Sequence, residues 1–249
     1  MTTHLTRFVG RWWAVLAVIV GWQLIVMTFR VSQFLLPSPV AIVTAIGRNP
    51  GEFLIPLLLT LRTAVVGYVL GVGIGYLMAS LAWLWPIFGA ALTPFALVVR
   101  SVPFVALIPA LTKILGYSDT TAWLICAMVC FFPTFVLVRT GLSDIPANGD
   151  DLFNVGGASR WNRYRRLAMP ASAVALATSM RIAAAAAFAA ALISEFLMGT
   201  RGLAFVLANA LDRLNMTQLW GAAVCAITIG ILAYLAANQF EKYAVNRWR

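Results

Sequence analysis

TAVVGYVLGVGIGYLMASLAWLWPIFGAALTPFALVV, residues 63–99, carries no charged side chain between Arg62 and Arg100. As one helix these residues would reach about 55 Å at about 1.5 Å each, far beyond the roughly 30 Å hydrocarbon layer of a bilayer. The run therefore has to fold back on itself. Trp83-Leu84-Trp85-Pro86 is the natural place, because aromatics favour the membrane interface and proline disfavours continued helix. Two spans follow from this reading, near 57–82 and 86–110.

Working outward, the same reasoning delimits the rest of the chain. A first span near 12–29 follows Arg7 and Arg11. Its length and the absence of a small-residue cleavage site make it a retained span rather than a signal peptide. Further spans are expected near 120–141, with Pro133 inside, near 171–198, with Arg181 and Glu195 inside, and near 216–240, uncharged up to Glu241. Composition agrees: of 249 residues 62% are hydrophobic and only 10% charged, with mean hydropathy +0.90. Lipid is the solvent such a chain needs, and only helix bundles or closed barrels satisfy their backbones there. Barrels need short alternating segments, whereas these runs are long and continuous. The expected class is an all-α membrane protein of about six transmembrane helices, forming a single domain over 1–249.

Charge gives the orientation. The net charge of +10 is carried almost wholly by arginine, placed beside or between apolar runs. That is the pattern of positive-inside topology, not of nucleic-acid binding. With both termini cytoplasmic, Arg7, Arg11, the five arginines of 139–170, Lys242, Arg247 and Arg249 lie inside. Arg30, Arg48, Lys113, Arg201 and Arg213 lie outside.

Few residues offer chemistry. His4 is the single histidine, and Cys126, Cys130 and Cys225 sit in apolar surroundings, so metal sites and histidine-based catalysis are not expected. No Gly-Lys-Ser/Thr phosphate cradle occurs, so any ATP hydrolysis belongs to another polypeptide. Glu195 lies deep in an apolar run, where an ionisable group marks either function or a buried polar pairing. Arg100, before Ser101-Val102-Pro103, and Arg181 are the other candidates for a translocation pathway, with packing or interface anchoring as the alternative. Gly67, Gly71 and Gly75 form a smooth ridge suited to close helix packing. The Ala183–Ala191 stretch presents a second small-residue surface, for packing or for lining a passage.

One connection differs in kind. Residues 144–170 carry Asp144, Asp150, Asp151 and four arginines, with Leu152, Phe153, Trp161 and Tyr164 supplying an apolar component. Composition suits a short surface helix and a solvated topology-fixing loop equally. The spacing of Gly157, Tyr164 and Pro170 resembles the cytoplasmic loop of permease subunits of binding-protein-dependent ABC importers. In that family a glycine is followed seven residues later by an aromatic and six further by a proline. Gly157-Ala158-Ser159-Arg160-Trp161 and the Arg165-Arg166 pair resemble the branch serving nitrate, sulfonates, taurine, bicarbonate and pyrimidine precursors. Leu36-Pro37-Ser38-Pro39, Thr60-Leu61-Arg62, Val102-Pro103, Phe131-Phe132-Pro133, Leu192 to Glu195 and Arg201-Gly202-Leu203 extend the likeness along nearly the whole chain. Asp151-Leu152-Phe153 stands where the family has Glu-Ala-Ala, and the 83–86 turn lacks the family's basic residues.

The resemblance implies a type I importer permease with a cytoplasmic coupling helix between the fourth and fifth spans, in a loop over about 142–170. Residues from about 150 to 163 would dock on an ATPase, with Asp151, Gly157, Ala158, Ser159, Arg160, Trp161, Tyr164, Arg165 and Pro170 as the coupling residues. Gly157 would turn the backbone after the helix, and Pro170 would start the fifth span. Implied partners are a second permease subunit, identical or not, two cytoplasmic ATPases that bind ATP and Mg, and an extracytoplasmic substrate-binding protein. The expected location is a bacterial inner membrane, the chain itself holding no cofactor and no catalytic group. The cargo would be a small solute such as a sulfonate, nitrate, taurine or a pyrimidine-type precursor. A secondary transporter using Glu195 as a proton-linked carboxylate is the alternative, although no inverted repeat is evident.

Overall fold

A computed structural model describes residues 2–101, 103–145 and 147–248, without the side chains of 2–12, 15, 93, 95–101, 147, 150, 154, 247 and 248. The described elements are helical throughout, as composition requires: α1 Thr2–Thr28, α2 Pro39–Arg48, α3 Gly51–Leu84, α4 Pro86–Ser101, α5 Phe104–Leu115 and α6 Asp119–Ser143. After them come α7 Ala147–Val155, α8 Arg160–Arg163, a π-helical turn Tyr164–Ala168, α9 Met169–Ala171, α10 Ala173–Met198, α11 Leu203–Asp212 and α12 Met216–Trp248.

Among the described residues, α3, α6, α10 and the 216–246 stretch of α12 are long and apolar enough to cross a membrane. They form the core bundle, with α3 packed most extensively on α6, and α10 packed on α6, α12 and α3. Backbone approach explains this arrangement. A Cβ placed on Gly67 would fall on Cys126, one on Gly71 on Ala127 and Cys130, and one on Gly75 on Phe131 and Thr134. The glycine ridge thus lets α6 lie directly against α3, as small residues do where lipid offers no hydrophobic drive between helices. Cys126 and Cys130 are fully buried free thiols in that seam. Ala183, Ala187, Ala190 and Ala191 bury one face of α10 in the core it shares with its neighbours. Val65, Val69 and Ile74 on α3, with Ile227 and Ile231 on α12, face outward, as apolar side chains can where the solvent is lipid.

The backbone obeys its prolines and caps. Trp85 leaves α3 in the extended conformation (φ −121°, ψ 98°) that a residue before proline prefers, and Pro86 opens α4. Ser38 and Ser118 cap α2 and α6 by accepting from Ala41 N–H (3.2 Å) and Thr121 N–H (3.4 Å).

Three expectations change. The stretch 86–110, read as one span, is two helices, α4 and α5, with Pro103 in an extended conformation (ψ 111°) as the cap of the second. Proline has no N–H to donate, so helix does not run on through Pro103. The docking segment expected over about 150–163, a helix with the backbone turning after it at Gly157, holds a second short helix beyond that turn. Gly157, at φ +64°, ends α7, with Ala158 N–H donating to Phe153 O (2.9 Å) in the six-residue closure that left-handed glycines permit. Ser159 then caps α8. Finally, Pro170 does not start a span: it lies inside a helical run that begins at Arg160. The π turn just before it, with Met169 N–H reaching back five residues to Tyr164 O, absorbs the bond the proline cannot make.

Candidate functional site

Two ends of the bundle hold the residues of interest. At the end where α3 finishes, Tyr164 is buried, its hydroxyl donating to Ser80 Oγ (2.8 Å) and lying 3.2 Å from the Tyr76 hydroxyl. Its ring sits between Trp83 (centroids 5.8 Å) and Trp161 (5.5 Å). Arg160 lies over the Trp83 ring at 5.5 Å and donates from Nη2 to Trp83 O at 2.7 Å. The amphipathic α8 and π turn are therefore fastened to the last two turns of α3. Cation–π contact and a charge-assisted hydrogen bond contribute about 0.5–3 kcal/mol each at such sites.

Other side chains of this segment are apolar and open. Leu152 is 71% exposed, Val155 90% and Trp161 56%, beside exposed Asp151, Gly157, Ser159, Arg165 and Arg166. Arginine and aspartate at a membrane surface are ordinary, but a valine so exposed outside the apolar spans has no solvation reason to be there. Of the residues expected to touch a partner, Tyr164 instead faces inward, while Ala158 and Pro170 are half-buried. Sequence reading missed Tyr76, Ser80 and Trp83. Their spacing of four and three residues on α3, which places them on one face, was the available signal.

At the other end of α3 stands Glu195, 1% exposed. Thr60 Oγ1 donates to its Oε2 (2.6 Å) and accepts the Leu203 backbone N–H (2.8 Å). The Ala204 N–H and the Thr63 hydroxyl also lie toward the carboxyl group, while Oε1 carries no hydrogen bond. Gly202, at φ +154°, passes so near that a Cβ there would coincide with the carboxyl group. A carboxyl from α10 thus occupies the place a capping side chain would hold at the start of α11, where unpaired N–H groups and the helix dipole favour an oxygen. Thr60-Leu61-Arg62, Leu192 to Glu195 and Arg201-Gly202-Leu203, scattered in sequence, meet at this one point.

The other pathway candidates are not gathered here. Arg181 pairs with Glu241 of α12 (2.6 Å), and Glu241 also accepts from Thr178 Oγ1 (2.8 Å), so this arginine joins two helices. Arg100 lies in α4, and its side chain is outside the described residues. Near Glu195 a cavity of about 610 Å³ opens between α3, α6 and the 199–202 turn. Among the described residues no group of three or more metal-ligating side chains occurs.

Comparison with known proteins agrees with this architecture. The chain is 28% identical over 224 residues to the formylaminopyrimidine transport permease protein of Halalkalibacterium halodurans, covering 88% of this chain and 87% of that one. It is 23% identical over 239 residues to the putative aliphatic sulfonates transport permease protein of Bacillus subtilis, covering 94% and 85%. The permease in inward-facing structures of the MetNI methionine ABC transporter superposes with a TM-score of 0.57 at 18% identity, over 84% of this chain and 98% of that one, which establishes the type I importer fold. Residues 71–249 match the family described as binding-protein-dependent transport system inner membrane component. A helical bundle with four long apolar helices, this fold and that match together make the chain a member of this family of multi-pass transmembrane permeases of ABC importers.

Proposed function

We propose that this chain forms half of the passage of an ATP-driven importer for a small solute delivered by an extracytoplasmic binding protein, and that the surface of Leu152, Val155 and Trp161 is where a cytoplasmic ATPase grips it. The observation that carries this reading is the pairing of an exposed apolar knob with a rigid attachment. Residues 147–168 offer apolar side chains to the outside while Arg160 and Tyr164 tie the segment to α3. A knob held in this way transmits displacement; a loose loop would dissipate it.

In this arrangement both termini and the 142–170 segment are cytoplasmic. A second permease subunit, a copy of this chain or a different one, completes the passage, and two ATPase subunits bind ATP and Mg and perform the hydrolysis. Asp151, Gly157 and Ser159 shape the docking helix and its exit, Arg165 and Arg166 meet lipid headgroups or ATPase carboxylates, and Pro170 maintains the π turn. Permeases resembling this chain are named for formylaminopyrimidine and for aliphatic sulfonates, so the cargo is a small polar molecule of that size. The alternative of a proton-linked carrier rests on Glu195, and a carboxyl tied to Thr60 beneath a helix start is accounted for by structure.

Uptake into vesicles holding the permease, its ATPase and its binding protein tests the assignment, using taurine, methanesulfonate, nitrate and N-formylaminopyrimidine as cargoes. ATP-dependent uptake is expected, and uptake by this chain alone, driven by an ion gradient, would refute it. Replacing Val155 with aspartate should abolish ATPase association in pull-down while leaving membrane insertion and thermal stability unchanged. Unaltered association would show that the knob is not the contact.

A further inference from the structure

The cavity at the Glu195 end has a chemistry of its own. It is lined by Arg62, Asp119, Trp123, Arg201, Tyr117 and Phe205, among others, and has a volume of about 610 Å³. Arg62 lies 5.4 Å over the Trp123 ring and 3.7 Å from Asp119, with both members of that ion pair more than half exposed. Such an exposed pair is weak, so a competing anion can take the guanidinium. Arg201 makes no ion pair among the described residues.

The backbone that carries Arg201 is fixed. Gly199 (φ +63°) and Gly202 (φ +154°) bend the turn, and the Leu203 N–H is bound by Thr60, itself bound to Glu195. A buried carboxyl is an expensive way to hold an exposed turn unless the geometry of that turn matters. What the clamp positions is one unpaired guanidinium at the rim of an aromatic cavity. In the orientation with both termini cytoplasmic, Arg30, Arg48, Lys113, Arg201 and Arg213 fall on this side with Arg62, against Glu52, Asp119 and Asp212, a balance that would raise the local concentration of anions.

We propose that this cavity is a binding site for an organic anion, in which Arg201 and Arg62 take the acidic group and Trp123, Tyr117 and Phe205 form the walls against an apolar or aromatic body. A carboxylate or sulfonate fits the two guanidiniums, whose planar donors match paired oxygens. The cavity has room for a ligand of about ten heavy atoms, and its aromatic lining selects against a bare inorganic ion. Resting on the importer reading above, the site would be the first station on the extracytoplasmic side, receiving the anion after its release from the binding protein.

Radiolabelled benzenesulfonate, titrated by equilibrium dialysis into the permease–ATPase complex in nanodiscs without the binding protein, tests this. Saturable binding is expected, weakened by added salt and not displaced by neutral benzamide. Arg201→Gln should weaken it by about ten- to a hundredfold, the value of one charge-assisted contact. Arg201→Lys should fall between. Asp119→Asn, which frees Arg62, should tighten it by about two- to fivefold. Arg201 is exposed, so these variants fold. Equal binding by Arg201→Gln and wild type, displacement by benzamide, or no binding at all would overturn the proposal. The importer reading fails separately, only if the complete wild-type assembly shows no ATP-dependent uptake of any cargo.

Discussion

The two ends of α3 are fastened by opposite means. At Trp83 the partners are rings and hydroxyls: Tyr164 on Ser80 and Tyr76, Arg160 on Trp83, with a π-helical turn beside them. About 35 Å away by helix rise, at Thr60, the partner is a single buried carboxyl under a turn bent by two glycines at positive φ. The first is an attachment shared among several side-chain contacts, beside a turn that departs from α-helical pitch. The second is a clamp, in which one misplaced methyl would displace the carboxyl. A segment that has to follow a moving partner suits the first construction, and a turn that has to hold a fixed geometry suits the second.

Breaking the clamp should do the most damage. Gly202→Val places a branched side chain on the Glu195 carboxyl at a φ that glycine alone tolerates well. Overpacking and backbone strain together should cost about 2–6 kcal/mol, read as a large fall in the thermal midpoint of the detergent-solubilised permease. A variant as stable as wild type would mean that the turn is not held as described. Glu195→Ala, which leaves the α11 start without its acceptor and Thr60 with only Pro56 O (3.2 Å), should cost about 1–3 kcal/mol. Glu195→Gln keeps an oxygen there and should retain both most of the stability and ATP-linked uptake. If Gln abolishes uptake while folding is normal, the carboxyl belongs to the passage and the contrast between the ends collapses. The smallest effect is expected at the attachment. Tyr164→Phe removes one hydroxyl, about 1 kcal/mol, and should lower the ratio of cargo moved to ATP hydrolysed more than it lowers stability. Equal loss at both readouts would make Tyr164 a structural residue only.

Much of this was legible in the chain. The turn at Trp85-Pro86 followed from charge-free length, and the four-residue glycine spacing at Gly67, Gly71 and Gly75 pointed to the close α3–α6 seam, because both are local signals. For Gly157, Tyr164 and Pro170, two of the three local roles differ from the expected ones. Tyr164 turns inward, since a ring with a hydroxyl gains more from Ser80 and two tryptophans than from water, and Pro170 is absorbed by a π turn that no spacing rule announces. The union of Thr60, Glu195 and Gly202 spans more than 140 residues, and periodicity says nothing about pairings at that separation. Arg181 likewise found Glu241 across two helices, a pairing that only the packing of α10 on α12 determines.

The seam between α3 and α6 has a mechanical consequence. Where Gly75 meets Phe131 O and Thr134, even one added carbon would stand 2.9 Å from its neighbours, so the two helices lie about as close as their backbones allow. A pair packed this closely is expected to move as one body, fastened at Trp83 and at Thr60. A change of shape is then expected elsewhere, at the break between α4 and α5 or at the face of α10. A cysteine cross-link fixing α3 to α6 should leave uptake intact, and one fixing α5 to α10 should stop it.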